Sequence, residues 1–325
     1  MTVLVTGAGV IGCHTARLLA ARGTRVLLLD LHPAHAAIAT IVDDPKVQVF
    51  TGSVTDIDLL SRLAESNGVD AIVHTAALLS TAIRKDPLAG IEVNIMGTAN
   101  VLEVARRQQL RRVVLASSTT VGYQAFGDFE GDAFPEDFPM QFIRHRPTSI
   151  YVGTKVAGET LALLYRDLYG LSVVALRYAA VISAWGGPGT SVPGKVLSSL
   201  LQPARQGQTA VIDDPFTVWR GGEEFIDARD CASANMAALD APAPAQAVYN
   251  IGLGRLSSFD AFVAAVRALY PDLQVRLAVQ PAGGFAGFPH VRSAPSDISA
   301  AARELGWSPA YSLDDAISHY APLLA

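Results

Sequence analysis

Short apolar runs alternate with amphipathic stretches through the first half of the chain. Val3-Leu4-Val5 breaks into glycines at Gly7, Gly9 and Gly12, and the apolar spacing of residues 13–23 then predicts a helix. Residues 25–29 and 47–50 predict strands, 58–66 a helix and 71–74 another strand. A helical stretch from about 91 to 109, a strand at 112–116, a helix over 152–169 and a strand at 172–176 continue the pattern. Such alternation predicts an α/β fold with a doubly wound parallel sheet.

Beyond Tyr178 the texture changes. Glycine and proline cluster at 185–189, 193–194 and 281–289, with shorter helical stretches between them. We therefore expect residues 1–178 to form a dinucleotide-binding domain of Rossmann type and residues 179–325 a smaller, mainly substrate-binding lobe. Segments around 223–252 are expected to return to the sheet.

The glycine pattern carries the first chemistry. Gly7, Gly9 and Gly12 fall between a strand and a helix, where a tight turn needs positive φ and a pyrophosphate must approach bare backbone at a helix N-terminus. The second strand then ends in Asp30, about twenty residues on, where a dinucleotide site places the acid that bonds the adenosine ribose hydroxyls. That arrangement points to NAD in preference to NADP.

Composition narrows the partners. The 325 residues, 50% of them hydrophobic, suffice for a large core, and the net charge of -5 supplies no basic field for nucleic acid or an anionic membrane. Small-molecule chemistry is expected. The two cysteines, Cys13 and Cys231, make neither a disulfide framework nor a metal cluster, so no metal is expected. Met1 leads straight into the first strand and no apolar run is long enough to span a bilayer, so the expected location is cytoplasmic.

Tyr151 and Lys155 stand at i and i+4, on one face of a helix. An ammonium near a phenol favours the phenolate and turns a weak acid into a general base. The preceding strand ends in Ser117-Ser118-Thr119-Thr120, at the sheet edge where open α/β folds bind ligands, and a hydroxyl there can donate to a substrate oxygen. His74, at another strand end, reads as a packed imidazole. Glu130, Asp132, Glu136 and Asp137 read as solvated loop acids, and the loop's Phe126, Phe129, Phe134, Phe138 and Phe142 as an apolar lid.

With these residues in place, the chain resembles the extended short-chain dehydrogenase/reductase superfamily, also described as NAD-dependent epimerases and dehydratases, over nearly its whole length. The matching pieces are the glycine turn, Asp30, 51–56, His74-Thr75-Ala76-Ala77, 94–98, the serine run, Tyr151/Lys155 and Leu176-Arg177-Tyr178, then 224–230, 249–252 and 304–309. The resemblance implies that Ser118 polarises the substrate oxygen, with Ser117 and Thr119 as competing hydroxyls. It makes Tyr151 the acid/base, has Lys155 lower its pKa and hold the nicotinamide ribose, and gives Asn94 the task of supporting the site. It further implies a cofactor lining of Gly7, Gly9, Val10, Ile11, Gly12, Asp30, Leu31, Ser53, Val54, Thr75, Ala76, Ala77, Asn94, Ala116, Tyr151, Lys155 and Tyr178. Substrate contacts would come from Leu78, Ser118, Thr119, Thr120, Tyr151, Ala179, Ala180 and Thr190. A homodimer through the helices at 94–109 and 152–169 is also implied.

Departures from the family pattern choose among reactions. The glycine turn is one residue shorter than the common extended form, and Ser53 replaces an acid that often reads adenine. Nucleotide-sugar enzymes of the family usually carry an asparagine and an arginine where this chain has Ala180 and Glu223, and an acid facing a diphosphate repels it. Arg220 and Arg292 are the candidate substitutes. Thr119-Thr120 stand where 4,6-dehydratases need Asp-Glu, which argues against that reaction. Residues 176–183 and Gly189-Thr190 are similar to short-chain-type L-threonine 3-dehydrogenases. The leading expectation is thus an NAD-dependent oxidoreductase that interconverts a secondary alcohol and ketone on a small non-nucleotide substrate. The alternatives are a sugar or nucleotide-sugar epimerase with tightly bound NAD, and a non-catalytic NAD-binding regulator.

Overall fold

The computed structural model describes residues 1–185 and 191–323. In chain order its first part runs β1 (Thr2–Thr6), α1 (Val10–Ala21), β2 (Arg25–Asp30), α2 (His35–Ile41), β3 (Val47–Thr51), α3 (Ile57–Ser66) and β4 (Ala71–His74). Next come α4 (Ser80–Lys85), α5 (Pro87–Ile91), a π turn (Glu92–Met96), α6 (Gly97–Arg107), β5 (Arg112–Ser118), a 3-10 segment (Thr119–Asp128), α7 (Ile150–Tyr169) and β6 (Val173–Tyr178). The second part supplies β7 (Ala180–Ile182), α8 (Val192–Arg205), β8 (Ala210–Ile212), β9 (Phe225–Asp227), α9 (Ala228–Asp240), β10 (Val248–Ile251), α10 (Phe259–Arg267), β11 (Val275–Leu277) and α11 (Leu313–Tyr320).

The main sheet has seven strands in the order β10-β6-β5-β4-β1-β2-β3, and every pairing is parallel. Its central strands are continuous apolar runs because helices cover both faces. Val3, Val5, Val26 and Leu28 pack with Cys13, Ala16 and Leu19 of α1 and Ala234 and Ala238 of α9. Leu4, Leu27 and Leu29 point the other way, against Leu60 and Leu63 of α3 and Val101 and Leu102 of α6. A third core lies in the second part, where Trp219, Phe225, Phe262 and Phe285 meet Leu197 and Leu200 of α8.

Of the segment 223–252, only β10 joins the main sheet, at its edge beside β6. β9 pairs with β7 in a separate two-stranded sheet, so within 223–252 the segment that joins the main sheet is β10. The helix expected from 91 to 109 is interrupted: a π turn at Glu92–Met96 precedes α6. Both cysteines are buried and free, and burial pushes the Cys13 thiol up to about 12. No helix among the described residues is long and apolar enough to cross a membrane, and none of their His, Cys, Asp and Glu side chains form a group placed to hold a metal.

Candidate active site

The first wall is the turn between β1 and α1. Gly7 takes φ +91°, and a Cβ there would stand 2.6 Å from the Ala76 nitrogen, while one at Gly12 would run into the Gly7 carbonyl. A Cβ at Gly9, the residue that caps α1, would meet nothing within 4 Å. Backbone is thus packed tightly under the turn and left bare at the helix N-terminus, the shape a pyrophosphate needs. Val10 and Ile11 open the helix. Asp30 sits beside the turn, its carboxylate accepting from the Ala8 and His32 N–H groups at 2.8 and 2.9 Å. Leu31 next to it is half exposed. These residues form a cradle that fits NAD.

The floor comes from the end of β4 and the helices that follow. His74 bonds Thr6 Oγ1 at 2.6 Å through Nδ1 and Thr98 Oγ1 at 3.2 Å through Nε2. Burial, with Lys155 nearby, lowers its pKa to about 3, so the ring is neutral and structural. Thr75 Oγ1 donates to the Thr6 and Gly7 carbonyls, which fixes the chain before Ala76 and Ala77. Ser53 is occupied with Thr55 Oγ1, and Val54 is buried where a Cβ on Gly97 would strike it.

Asn94 lies in the π turn, a distortion that recurs where a helix must aim a side chain. Its carboxamide accepts from the Leu78 N–H at 2.8 Å and donates to the Leu78 carbonyl at 3.0 Å and to Thr154 Oγ1 at 3.1 Å. Thr154 in turn donates to the Tyr151 carbonyl. One buried amide therefore ties the loop after β4 to the helix that carries Tyr151 and Lys155.

That helix, α7, starts where the Ser149 hydroxyl accepts from the Val152 N–H and stops at Gly170 in the left-handed conformation. Its first two turns present Tyr151 and Lys155 to β5. Lys155 Nζ donates to the Ala116 carbonyl at 2.9 Å and stands 5.9 Å from the Tyr151 ring centre. Burial lowers the Lys155 pKa to about 8, against the pull of Glu159. Burial raises that of Tyr151, and the Ser118 hydroxyl beside the phenol works the other way.

The structure separates the three competing hydroxyls by their partners. Ser117 donates to Glu159 at 2.5 Å, and Thr119 points at the Tyr178 carbonyl at 3.4 Å. Ser118 Oγ accepts from the Thr120 N–H and hydroxyl at 3.3 and 3.0 Å, which leaves its own proton for the phenol or a substrate. Tyr178 donates to Asn235, away from this point, and Ala179 is buried. Thr190 lies outside the described residues.

Three sequence expectations change here. Glu223 does not face open space: it is buried and accepts from Tyr123 at 2.7 Å and Arg292 at 2.9 Å, while Glu224 accepts from Arg292 at 2.5 Å. Arg292 is consequently occupied and Arg220 is on the surface. Glu136 is not a solvated acid, because it is half buried and accepts from the Asn250 N–H at 2.9 Å. The loop phenylalanines are not a free lid either: Phe126, Phe129, Phe134 and Phe138 interlock at centroid distances of 4.9 to 5.7 Å, and only Phe142 is exposed.

Sequence reasoning passed over Glu159. It holds Ser117 and accepts a two-point ion pair from Arg177, and it follows Lys155 by four residues, so the helical spacing that singled out Tyr151 and Lys155 reaches it too. A cleft of about 380 Å³ also opens beside Tyr151, lined by residues from α4, α8 and the loops around Phe216 and Phe288.

Among solved structures, a UDP-glucose 4-epimerase of Thermus thermophilus in complex with NAD is 25% identical, with a TM-score of 0.77 over 100% of this chain and 99% of that one. A partial-consensus L-threonine 3-dehydrogenase is 24% identical with a TM-score of 0.80, covering 99% of this chain and 98% of that one, a likeness of fold. In sequence, UDP-glucuronate 4-epimerase 4 of Arabidopsis thaliana is 26% identical across 98% of this chain and 74% of its own length. The model of the NAD dependent epimerase/dehydratase family matches residues 3–252, and the chain belongs to that family.

Proposed function

We propose that the protein is an NAD-dependent nucleotide-sugar epimerase. The observation that carries this reading is the cleft of about 380 Å³ that runs past Tyr151, a volume suited to a ligand well beyond a small alcohol. The relatives named as UDP-sugar 4-epimerases support it. Bound NAD supplies the hydride acceptor and donor. Tyr151 removes the carbinol proton and later returns it, Ser118 donates to the same oxygen, and Lys155 stabilises the phenolate while Asn94 holds the helix in place. The cofactor cradle comes from residues before Tyr178, whereas the cleft is shared, with α4 and the start of α7 on one side and α8 with the loops around Phe216 and Phe288 on the other.

Incubation with UDP-glucose or UDP-glucuronate, followed by NMR, tests the reading. A Tyr151→Phe variant should lose about 10² to 10⁴ in turnover while still binding NAD. Full turnover in that variant, or no epimerisation of either sugar by the parent, would sink it.

A second reading retains the small-substrate dehydrogenase. Ala180 and the closed Glu223–Arg292 pair, at places where the family resemblance implies an asparagine and an arginine for the diphosphate, favour it. Steady NADH accumulation with a non-nucleotide alcohol would establish it. In either case we expect a homodimer: α5 to α7 expose Leu88, Ile91, Met96, Leu164 and Leu168, and sedimentation as a monomer would exclude that pairing.

A further inference from the structure

The cleft beside Tyr151 is lined by two cations that have no acidic partner among the described residues. Arg84, at the end of α4, lies on one side, and Lys195, in the first turns of α8, lies in the same lining more than a hundred residues later. Neither makes an ion pair or a hydrogen bond among the described residues. Most other strongly placed arginines do: Arg106 and Arg107 hold Glu103, Arg177 holds Glu159, Arg229 holds Asp227 and Arg292 holds Glu223 and Glu224.

Arg84 is not simply a loose surface side chain. Its guanidinium lies 4.7 Å from the centre of the Phe216 ring, and that ring is backed by Gly287, where any side chain would collide with it. A face contact with an aromatic ring orients the guanidinium and leaves its in-plane N–H donors unspent, whereas an ion pair would consume them. Asp214, the one acid of the lining among the described residues, turns an oxygen to the Phe216 N–H at 2.9 Å and pairs with neither cation. Two cations against one acid leave the cleft positive, although the whole chain carries a net charge of -5.

We infer that Arg84 and Lys195 bind an anionic group of the substrate, a phosphate or a carboxylate, and so fix how the reacting carbon is presented to Tyr151. The inference rests on the epimerase reading only in taking Tyr151 as the reacting wall. A planar guanidinium with free parallel donors suits a two-oxygen acceptor, and the lysine adds a mobile second charge that tolerates different lengths of ligand.

The test is calorimetric binding to the NAD-loaded protein with two matched pairs, UDP against uridine and glucuronate against glucose. The first pair reports a phosphate and the second a carboxylate. In at least one pair the anionic member should bind about tenfold tighter or better than its neutral partner, the scale expected of a charge-assisted contact. Arg84→Gln and Lys195→Gln should each close most of that gap and leave the neutral member, NAD affinity and melting temperature unchanged. A gap that survives both substitutions overturns the inference, and so does the lack of any gap in both pairs, failure of all four compounds to bind included. Loss of epimerisation with the gap intact would count against the epimerase reading alone.

Discussion

Two charged regions of the molecule are built to opposite plans. At the Glu223–Glu224–Arg292 node, one guanidinium meets two carboxylates and the Ser296 hydroxyl, and Glu223 also accepts from the Tyr123 phenol, all of them buried. At the cleft, Arg84 and Lys195 face space with no carboxylate partner among the described residues. A buried charge without partners is too costly to keep, so the node has to be closed. An exposed charge in a cleft costs little, so its lack of a partner is free to serve a ligand. Charge type alone does not separate the two, and closure does.

The largest effect that sharpens this contrast is on stability. Glu223→Ala would leave the Tyr123 hydroxyl without its acceptor and remove half of the acid that neutralises Arg292. Breaking one partner from a buried pair costs roughly 3–5 kcal/mol, whereas substitution of an exposed cation changes stability by no more than about 0.5 kcal/mol. Denaturant unfolding of Glu223→Ala beside Lys195→Ala measures both. Comparable losses would mean that the cleft lysine is also structural and that the contrast is wrong.

The next effect lies at the seam between the two parts. His14 of α1 is buried, neither ring nitrogen has a hydrogen-bond partner among the described residues, and it faces Asp227, Arg229, His319 and Arg17. Burial, with Arg17 adding to it, lowers its pKa to about 4. Because the folded value is below the unfolded one, the unfolded chain binds more protons between about pH 4 and 6.5, and stability falls as pH drops through that window. The His14 share comes to roughly 3 kcal/mol. His14→Leu should flatten the acid side of the stability curve by about that amount; an unchanged slope would show that the ring is already relieved by water.

Much of the cofactor wall was legible in the sequence because its determinants are local. β1, β2, β4 and β5 are buried on both faces and therefore read as unbroken apolar runs, and Tyr151 and Lys155 share a face at helical spacing. The cleft was not legible, since Arg84 and Lys195, or Glu223 and Arg292, meet only through the tertiary fold. Read as a single residue, Glu223 looks like an acid turned towards the substrate; its partner sits 69 positions away. The π turn at Asn94 left no mark in periodicity either, because one added residue per turn is invisible in so short a stretch.

The smallest effect tests the same closed-against-open distinction within three glycines. Gly12 is closed: a methyl there has no room against the Gly7 carbonyl, so Gly12→Ala should disturb the turn and lower the melting temperature and NAD affinity together. Gly9 is open. Its φ of -77° and ψ of -177° suit any residue, and its missing Cβ points to space at the start of α1. Gly9→Ala should therefore melt like the parent but bind NAD about tenfold more weakly, near 1.4 kcal/mol, since the methyl would occupy ground that the pyrophosphate approaches. Fluorescence titration with NADH and a thermal melt of each variant decide the matter. If Gly9→Ala binds as tightly as the parent, the bare helix end is not the pyrophosphate seat, and the shorter turn of this chain directs the cofactor past it along a different line.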